Sequence, residues 1–307
     1  MNCLSVFDAH ADTISRCLET GEGLYRNEGM LSLKQTGSAF GCYCQFFALW
    51  SNTKWENHAT YDQLLSCFRA QMRANSSCIV QCRTGAEAKC ANQMGKAAAF
   101  LTVEGADLLY CDLNRLKQAA ADGVVAINLT WNNANAISGS SREEPERGLS
   151  PLGRRFVRKM EELGILVDVS HLSEPGFWDV AEQATRPILA SHSNAKSVCD
   201  HPRNLTDEQI TAIIKSQGVI GLNFYRGFIG GKEDFDAVHA HLDHILGLGG
   251  ACHVGLGGDW DGCDTIGALP HIICLENLYE YFLRHNYSEA ILRDLFYHNM
   301  MRVVSVP

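Results

Sequence analysis

A stretch near the start of the chain, DAHAD at residues 8–12, contains the side chains that bind divalent cations. It directly follows an apolar run, which places it at the end of a predicted β-strand. Successive side chains of an extended segment alternate between two faces, so Asp8, His10 and Asp12 can point the same way. Imidazole and carboxylate groups that converge at a strand end are typical ligands of a divalent metal ion. The alternative is a polar strand end that faces solvent.

Similar residues occur at or after the ends of later apolar runs. The chain has eight such runs, separated by segments with helical spacing. The runs include residues 6–7, 40–50, 97–103, 124–129, 165–169, 187–190, 219–224 and 253–256. The residues of interest at their ends are His10, Asp12, Glu104, Trp131, His171, His192, Tyr225 and Asp259.

Eight apolar runs alternating with helices predict a (β/α)₈ barrel of the TIM type, in a single domain over residues 1–307. Short continuous apolar runs are typical of parallel strands that are buried on both faces. A doubly wound open sheet is the main alternative, but it normally gathers its site between two strands. At least seven of the eight runs are followed by a residue of interest. This favours the closed ring, because its C-terminal mouth would bring all of these residues together.

Three histidines and three carboxylates at one mouth are the ligand set of a two-metal hydrolase. Two neighbouring cations repel each other, so at least one carboxylate should bridge them, and a water held between them becomes hydroxide near neutral pH. Each residue also has a purely structural interpretation. His171 could be a hydrogen-bonded structural residue, Glu104 a helix cap and Asp259 a turn residue. The metal site is favoured because these separate explanations would have to hold at several strand ends together.

Four further histidines are interpreted as lying outside this site. His239, His241 and His244 belong to a segment with helical spacing, where residues i and i+2 diverge, so they are expected on the helix surface or in its packing. His253 begins an apolar run, which places it at the opposite end of the barrel. The charged segment 141–148 is interpreted as a solvated loop.

Composition excludes several classes of partner. The net charge of −9 and the pI near 5.7 argue against nucleic acid or an anionic membrane as the main partner. The chain has no apolar run of transmembrane length, and its first residues lack the pattern of a secretory signal. Thirteen cysteines, an odd number without a C-x-x-C pair, indicate reduced thiols, with a thiol metal site as a lesser alternative. We therefore expect a cytoplasmic protein.

The chain resembles the membrane dipeptidase family, also called renal dipeptidase-like or peptidase family M19. The matching segments are FDAHADT, LTVEGAD, LVDVSHLS, PILASHSNAKSVCDHPRN, GLNFY and HVGLGGDWDG, which extend from residue 7 to residue 262 in the order of the family. The resemblance implies a distorted (β/α)₈ barrel of the metallo-dependent hydrolase type with two metal ions, usually zinc. It also implies hydrolysis of dipeptides, often with tolerance for a D-residue at the C-terminal position.

Site residues follow from the same resemblance, motif by motif. It implies that His10 and Asp12 bind one metal ion, that His171 and His192 bind the other, and that Glu104 bridges both.

The remaining motifs imply the catalytic and substrate-binding groups. Asp259, in GGDWDG, would contact the metal-bound water and act as general acid and base. Arg203, in HPRN, would bind the substrate's free carboxylate with its guanidinium fork, and Tyr225, in NFY, would line the pocket.

One position departs from the mammalian members, which have a histidine where this chain has Trp131 in LTWNN. Tryptophan donates one N–H but cannot become a cation or carry a proton. Stabilisation of the developing oxyanion would therefore rest on the metals, with Asn132 or Asn133 as helpers. The sequence leaves open the preferred dipeptide and whether the chain forms a homodimer. The chain also lacks the secretory signal and lipid-anchor tail of the mammalian members, which fits a bacterial-type cytoplasmic enzyme.

Two other classes of function remain alongside the metallodipeptidase. Lactonases, deacetylases and phosphotriesterase-like enzymes on this barrel usually open with H-x-H and often use a bridging lysine, whereas this chain opens with His10-x-Asp12. An inactive metal-binding homologue is disfavoured by the presence of Asp259 with the whole ligand set, although Trp131 keeps this alternative open.

Overall fold

The computed structural model describes residues 4–305. Its strands are β1 (Leu4–Ala11), β2 (Phe40–Leu49), β3 (Ile79–Gln81), β4 (Ala97–Glu104), β5 (Val124–Asn128), β6 (Leu166–Asp168), β7 (Leu189–Ala190), β8 (Val219–Leu222) and β9 (Val254–Leu256). Eight of them pair in the order β2-β1-β9-β8-β7-β6-β5-β4, and β4 pairs back onto β2, which closes the ring. All these pairings are parallel, so the strands' C-terminal ends share one rim.

Helices surround the ring. Those found within residues 4–305 are α1 (Thr13–Thr20), α2 (Leu33–Ala39), α3 (Tyr61–Ala74), α4 (Gly85–Gln93), α5 (Leu113–Asp122), α6 (Pro151–Glu162), α7 (Glu174–Gln183), α8 (Asp207–Lys215), α9 (Arg226–Ile229), α10 (Phe235–Gly247), α11 (Leu275–Arg284), α12 (Glu289–Arg293) and α13 (Asn299–Val303). Short 3₁₀ turns occur at Ala106–Leu109, Gly250–Cys252 and Ile272–Cys274, and Asp294–His298 is a π-helical turn.

The predicted barrel is confirmed, because each of the eight apolar runs supplies one strand of the closed ring. An open sheet is excluded by the pairing of β2 with β4, which runs from Cys44 with Ala98 to Leu49 with Val103. The sequence analysis missed β3, which has three residues and pairs with β4. A strand this short carries too little hydrophobic pattern to be recognised.

Local signals set the helix boundaries that position the site loops. The loop after β5 ends at Ser150, whose hydroxyl accepts a hydrogen bond from the Gly153 N–H at 3.1 Å and caps α6. Pro151 follows at the first helical position, where its fixed φ favours the helix and its missing N–H costs nothing. The start of α6 therefore fixes one end of a long loop that crosses the mouth of the barrel.

Aromatic side chains fill part of the core beneath that mouth. Phe7 stacks on Phe100 with ring centroids 5.3 Å apart, and it contacts Phe46 edge to face at 5.4 Å. All three rings are fully buried. Burial of one such side chain contributes roughly 2–3 kcal/mol, so this cluster holds three neighbouring strands in place below the site.

Two further observations concern the whole of the described chain. Twelve cysteines between residues 4 and 305 are free thiols, as expected for reduced cysteines.

No helix in this part of the chain combines the length and the apolar character that crossing a bilayer requires.

Candidate metal centre and substrate cavity

The structure brings the six predicted ligand and catalytic side chains together at the C-terminal rim. His10 lies in β1 and Asp12 directly after it, while Glu104 is the last residue of β4. The other three lie in the loops after β6, β7 and β9, and they are His171, His192 and Asp259. The five predicted metal ligands are buried, so their polar atoms must find partners inside the protein.

One half of the centre is formed by two imidazoles and one carboxylate oxygen. The Nε2 atoms of His171 and His192 lie 2.9 Å apart. Glu104 Oε1 is 2.9 Å from the first of these nitrogens and 3.5 Å from the second. Three donor atoms that converge this closely fit the donor set of a single zinc-type cation.

The other half faces the second oxygen of the same carboxylate. His10 Nε2 lies 3.6 Å from Glu104 Oε2 and 3.6 Å from Asp12 Oδ2. His10 Nε2 and Asp12 Oδ1 are buried and have no hydrogen-bond partner among the described residues. Buried polar atoms without a partner are costly, and a second cation at this position would satisfy both. Glu104 thus presents one oxygen to each half of the centre.

Electrostatics distinguish the histidines of the two halves. Burial lowers the pKa of His171 and of His192 well below the ordinary value, so both are neutral and can donate a nitrogen lone pair. Burial also opposes a charge on His10, but the carboxylates of Glu104 and Asp12 raise its pKa well above the ordinary value. The carboxylates therefore favour a positive charge at this position, which a metal ion supplies.

Hydrogen bonds to the far side of each ring orient two of the imidazoles. His171 Nδ1 lies 3.0 Å from Asn132 Oδ1, and His192 Nδ1 lies 2.7 Å from the Ser191 hydroxyl. The amide oxygen can only accept, so His171 donates from Nδ1 and leaves Nε2 free for a metal. Asn132, predicted as a substrate-binding residue, also lines the cavity, and it links the loop after β5 to the metal centre.

Asp8 does not join the cluster that the alternation of β1 predicted. Its Oδ1 accepts hydrogen bonds from the N–H of His10 and from Gln45, and its Oδ2 accepts from Gly258 N–H and Trp260 Nε1. The pairing of β1 with β2 also changes register between Asp8 and Ala11, so strict alternation fails there. Asp8 therefore ties β1 to its neighbours and leaves no free oxygen for a cation.

Asp168, which the sequence analysis missed, has a comparable role at the end of β6. Its Oδ1 accepts hydrogen bonds from the backbone N–H groups of Ser170 and Ser191, so it holds together the loops that carry His171 and His192. The signal was present in the sequence, because both buried aspartates stand two or three residues before a histidine at a strand end.

Asp259 is held beside the centre by a strained and crowded loop. Its Oδ2 accepts a hydrogen bond from Asn223 Nδ2 at 3.1 Å, and its Oδ1 lies 4.0 Å from His10 Nε2. Its backbone φ is +59°, a conformation that costs energy for a non-glycine residue and often occurs at functional sites. A Cβ at Gly262 would lie 2.1 Å from Asp12 Oδ2 and 2.6 Å from Asp259 Oδ1, so only glycine permits this approach.

A cavity of about 480 Å³ opens above the centre, which is enough for a dipeptide. Arg203, Tyr225 and Trp131 line it, together with Asp12, Glu104, His171 and Asp259. Trp131 packs against Trp50 with ring centroids 5.0 Å apart, so these indoles form an aromatic wall on one side. Trp131, the position at which the sequence departs from the mammalian members, thus forms part of this wall.

Arg203 lies on another side of the cavity and is 6% exposed. Its guanidinium contacts the His192 carbonyl at 3.3 Å and the ring of Phe228 at 5.2 Å, and its Nε has no hydrogen-bond partner among the described residues. Burial lowers its pKa to about 10, so the group remains a cation at neutral pH. Among the described residues, Arg203 forms no ion pair with a carboxylate.

The four histidines that the sequence analysis placed outside the site, His239, His241, His244 and His253, lie away from it. His241 is buried in packing between the Ala195 N–H and the Ile229 carbonyl, and His244 pairs with Asp207. His253 precedes β9 and contacts the Gly218 carbonyl at the N-terminal side of the barrel.

Comparison with known proteins identifies the family. The family model of membrane dipeptidase, peptidase family M19, matches residues 1–306. An uncharacterized protein from the pqqA 5′ region of Klebsiella pneumoniae is 32% identical over 81% of this chain and 94% of its own. An uncharacterized dipeptidase of Schizosaccharomyces pombe is 32% identical over 67% of this chain and 52% of its own.

One similar solved structure contains a bound dipeptide mimic. It is a metallo peptidase from Rhodobacter sphaeroides, bound to a phosphinate mimic of the dipeptide L-Ala-D-Ala. It is 27% identical to this chain, covers 98% of it and 99% of its own chain, and superposes with a TM-score of 0.89. The fold and the rim cluster define a barrel hydrolase of the metal-dependent class. The chain belongs to the membrane dipeptidase family, peptidase family M19, and is a metallodipeptidase.

Proposed function

We propose that this enzyme hydrolyses dipeptides with a free C-terminal carboxylate and accepts a D-residue at that position. In this proposal the whole chain, residues 1–307, acts as one domain that binds two divalent cations, with zinc as the preferred ion. The acceptance of a D-residue is supported by the L-Ala-D-Ala mimic bound to the Rhodobacter sphaeroides relative. Zinc is supported by the ligand types, which are imidazole and carboxylate at a buried centre.

The observation that carries the proposal is the placement of the Glu104 carboxylate. One oxygen lies 2.9 Å from His171 Nε2, and the other lies 3.6 Å from His10 Nε2. We assign His10 and Asp12 to one cation, His171 and His192 to the other, and Glu104 to both. When bound, the cations lower the pKa of a water molecule and polarise the peptide carbonyl.

Asp259 is the proposed general base and acid. Its carboxylate lines the cavity next to the centre, and Asn223 holds one of its oxygens in place. Asp259 takes the proton from the attacking water and gives it to the leaving amine, which makes it essential for both halves of the reaction. Trp131 has no acid or base function, and Tyr225 and Trp131 shape the walls around the substrate.

Arg203 is the proposed anchor of the substrate's terminal carboxylate. A buried guanidinium without an ionic partner is costly, and a bound carboxylate removes that cost through two parallel hydrogen bonds. This anchor restricts the substrate to short peptides, because a longer chain would place a peptide group where the carboxylate belongs.

Replacing Arg203 with glutamine should raise the KM for L-Ala-D-Ala by about 100-fold, because breaking a buried ion pair costs roughly 3 kcal/mol. We expect kcat to change far less, since in this proposal Arg203 binds the terminal carboxylate and does not take part in breaking the peptide bond. Steady-state kinetics of the wild type and of Arg203→Gln, each with L-Ala-D-Ala and its C-terminal amide, test this. The wild type should show a similar rise in KM when the C-terminal amide replaces L-Ala-D-Ala. An unchanged KM in Arg203→Gln would contradict the role of Arg203 as the carboxylate anchor.

A hydrolysis screen tests the proposed function. The metal-loaded protein is offered L-Ala-L-Ala, L-Ala-D-Ala, N-acetyl-alanine and a simple lactone. We expect both dipeptides to be cleaved and the other two to be left intact. Cleavage of the lactone or of N-acetyl-alanine alone would instead identify a lactonase or deacetylase, and no cleavage at full metal occupancy would identify an inactive homologue.

We also propose that the enzyme works in the cytoplasm. The support is the twelve free thiols of the described chain, four of them fully or nearly buried, which suit a reducing compartment. The substrate is then a dipeptide that is available inside the cell.

A further inference from the structure

A second arginine of the substrate cavity lies in the loop after β5. Arg142 lines the cavity that also contains Arg203, and its side chain is exposed to solvent. The carboxylates next to it are already engaged. Glu143 pairs with Lys54 at 2.7 Å, and Glu144 pairs with Arg147. Among the described residues, Arg142 makes no ion pair.

The backbone around Arg142 is fixed by several hydrogen bonds. Ser141 N–H donates to the His171 carbonyl at 2.8 Å, and Arg142 N–H donates to the Ser140 hydroxyl at 3.3 Å. The carboxylate of Glu143, which binds Lys54, also accepts a hydrogen bond from the Ala134 N–H at 2.7 Å. Arg142 is therefore presented to the cavity by a preorganised turn, so little conformational entropy is lost at the backbone when a ligand binds.

Ser141 offers an unpartnered polar group at the same place, which is an observation independent of the charge on Arg142. It also lines the cavity, and its hydroxyl is buried without a hydrogen-bond partner in the described part of the chain. A buried hydroxyl is normally hydrogen-bonded. An anion between Ser141 and Arg142 would provide the missing acceptor.

The charge of the loaded cavity also favours an anion. Three carboxylates and two guanidinium groups line it, and they belong to Asp12, Glu104, Asp259, Arg142 and Arg203. Two divalent cations more than neutralise the three carboxylates, so the cavity becomes positive although the whole protein carries −9. Such a cleft concentrates negatively charged substrates.

Both arginines line the same cavity, and contacts near each of them lead to the same pair of histidines. Ser141, next to Arg142, contacts the His171 carbonyl, and Arg203 contacts the His192 carbonyl. These two histidines belong to the same half of the centre, with their Nε2 atoms 2.9 Å apart. The segment that carries Arg142 and the Arg203 side chain therefore border the same half of the centre, so we place both guanidinium groups near the same residue of the substrate.

We propose that Arg142 and the Ser141 hydroxyl bind a carboxylate on the side chain of the substrate's C-terminal residue. The enzyme then prefers dipeptides that end in Asp or Glu over their uncharged isosteres. This proposal rests on the proposed function, in which Arg203 binds the terminal carboxylate of the same residue. It assigns a role to a charged segment that the sequence analysis interpreted as a solvated loop.

The test compares isosteric substrate pairs. The kcat/KM values of L-Ala-D-Glu and L-Ala-D-Gln are measured for the wild type, and the same pair is measured with L-residues. We expect the acidic member to be preferred by about fivefold, which is the value of one solvent-accessible ion pair of about 1 kcal/mol. The preference should fall as NaCl is raised, because the pair is accessible to solvent.

Variants connect the preference to Arg142. Arg142→Gln should reduce the acidic-to-neutral ratio to about one, and Arg142→Lys should keep part of it, since lysine retains the charge without the fork. Arg155→Gln, which removes an exposed arginine of α6 outside this cavity, should leave the ratio unchanged. A wild-type ratio near one, or an unchanged ratio in Arg142→Gln, overturns the proposal.

A binding measurement separates this proposal from the proposed function. Quenching of tryptophan fluorescence in metal-loaded Asp259→Asn gives the dissociation constants of both peptides without turnover. Tighter binding of L-Ala-D-Glu that is lost in the additional Arg142→Gln variant supports the acidic site even if hydrolysis is slow. Equal dissociation constants overturn the acidic site, while cleavage of L-Ala-D-Ala by the wild type still supports the dipeptidase.

Discussion

Glu104→Gln should lose most of its bound metal and nearly all activity, because the proposal assigns this carboxylate to both cations. Loss of outer-shell partners alone weakens metal binding by about 10- to 100-fold, so loss of a bridging ligand should exceed that range. The metal content after gel filtration, measured by plasma mass spectrometry, gives the result directly. Glu182→Ala, an exposed carboxylate of α7, is the matched control and should retain wild-type metal.

The stability of the metal-free proteins shows whether Glu104 is a ligand or a structural residue. Burial raises the pKa of Glu104 to about 7, so the ionised carboxylate is disfavoured in the folded state without metal. Above that pH, the charged group lowers the stability of the metal-free wild type relative to a neutral side chain. Metal-free Glu104→Gln should therefore melt at or above the wild-type temperature at pH 8. A much lower melting temperature of metal-free Glu104→Gln, together with a wild-type metal content after loading, would mean that Glu104 is a structural residue.

Asp259→Asn should keep its metal and lose catalysis. The asparagine preserves the shape and the proximity to Asn223, but it cannot accept a proton from water or return it to the amine. General acid–base catalysis contributes on the order of 10²- to 10⁴-fold, and we expect kcat for L-Ala-D-Ala to fall by that factor with little change in KM. Asp264→Asn, an exposed aspartate of the same loop, should behave as wild type.

The metal content of Asp259→Asn decides between two roles for this residue. Its Oδ1 lies 4.0 Å from His10 Nε2, close enough that a ligand role must be tested. Two bound ions with low kcat support the role in proton transfer. Loss of an ion would identify Asp259 as a ligand instead, and near-normal kcat would exclude it from the chemistry.

The gathering of the six side chains could be predicted because a parallel barrel places all strand ends on one rim. Each strand carried its apolar run, and each candidate residue followed one, so His10, Glu104 and His192 needed no knowledge of loop structure. The cores of the eight ring strands were recognisable for the same reason. Their burial on both faces gives nearly continuous hydrophobic sequence.

The parts that escaped prediction depend on how loops cross the mouth. The contact between Asn132 and His171 joins residues 39 positions apart, and no local pattern encodes it. Arg142 lies in a charged segment whose sequence is typical of a solvated loop, and only the fold brings it to the cavity. Asp8 was expected to point the same way as His10 and Asp12. This prediction is wrong because the register shift in β1 interrupts the alternation of side chains.

The most direct test of the account is a titration of metal-free protein with Zn²⁺, followed by hydrolysis of L-Ala-D-Ala. The account predicts no hydrolysis without metal and a rise in activity that is complete at two equivalents of zinc per chain. Isothermal calorimetry of the same samples should count two bound ions. Hydrolysis by the metal-free protein, or full activity at one equivalent with a single bound ion, would contradict a centre in which Glu104 bridges two cations.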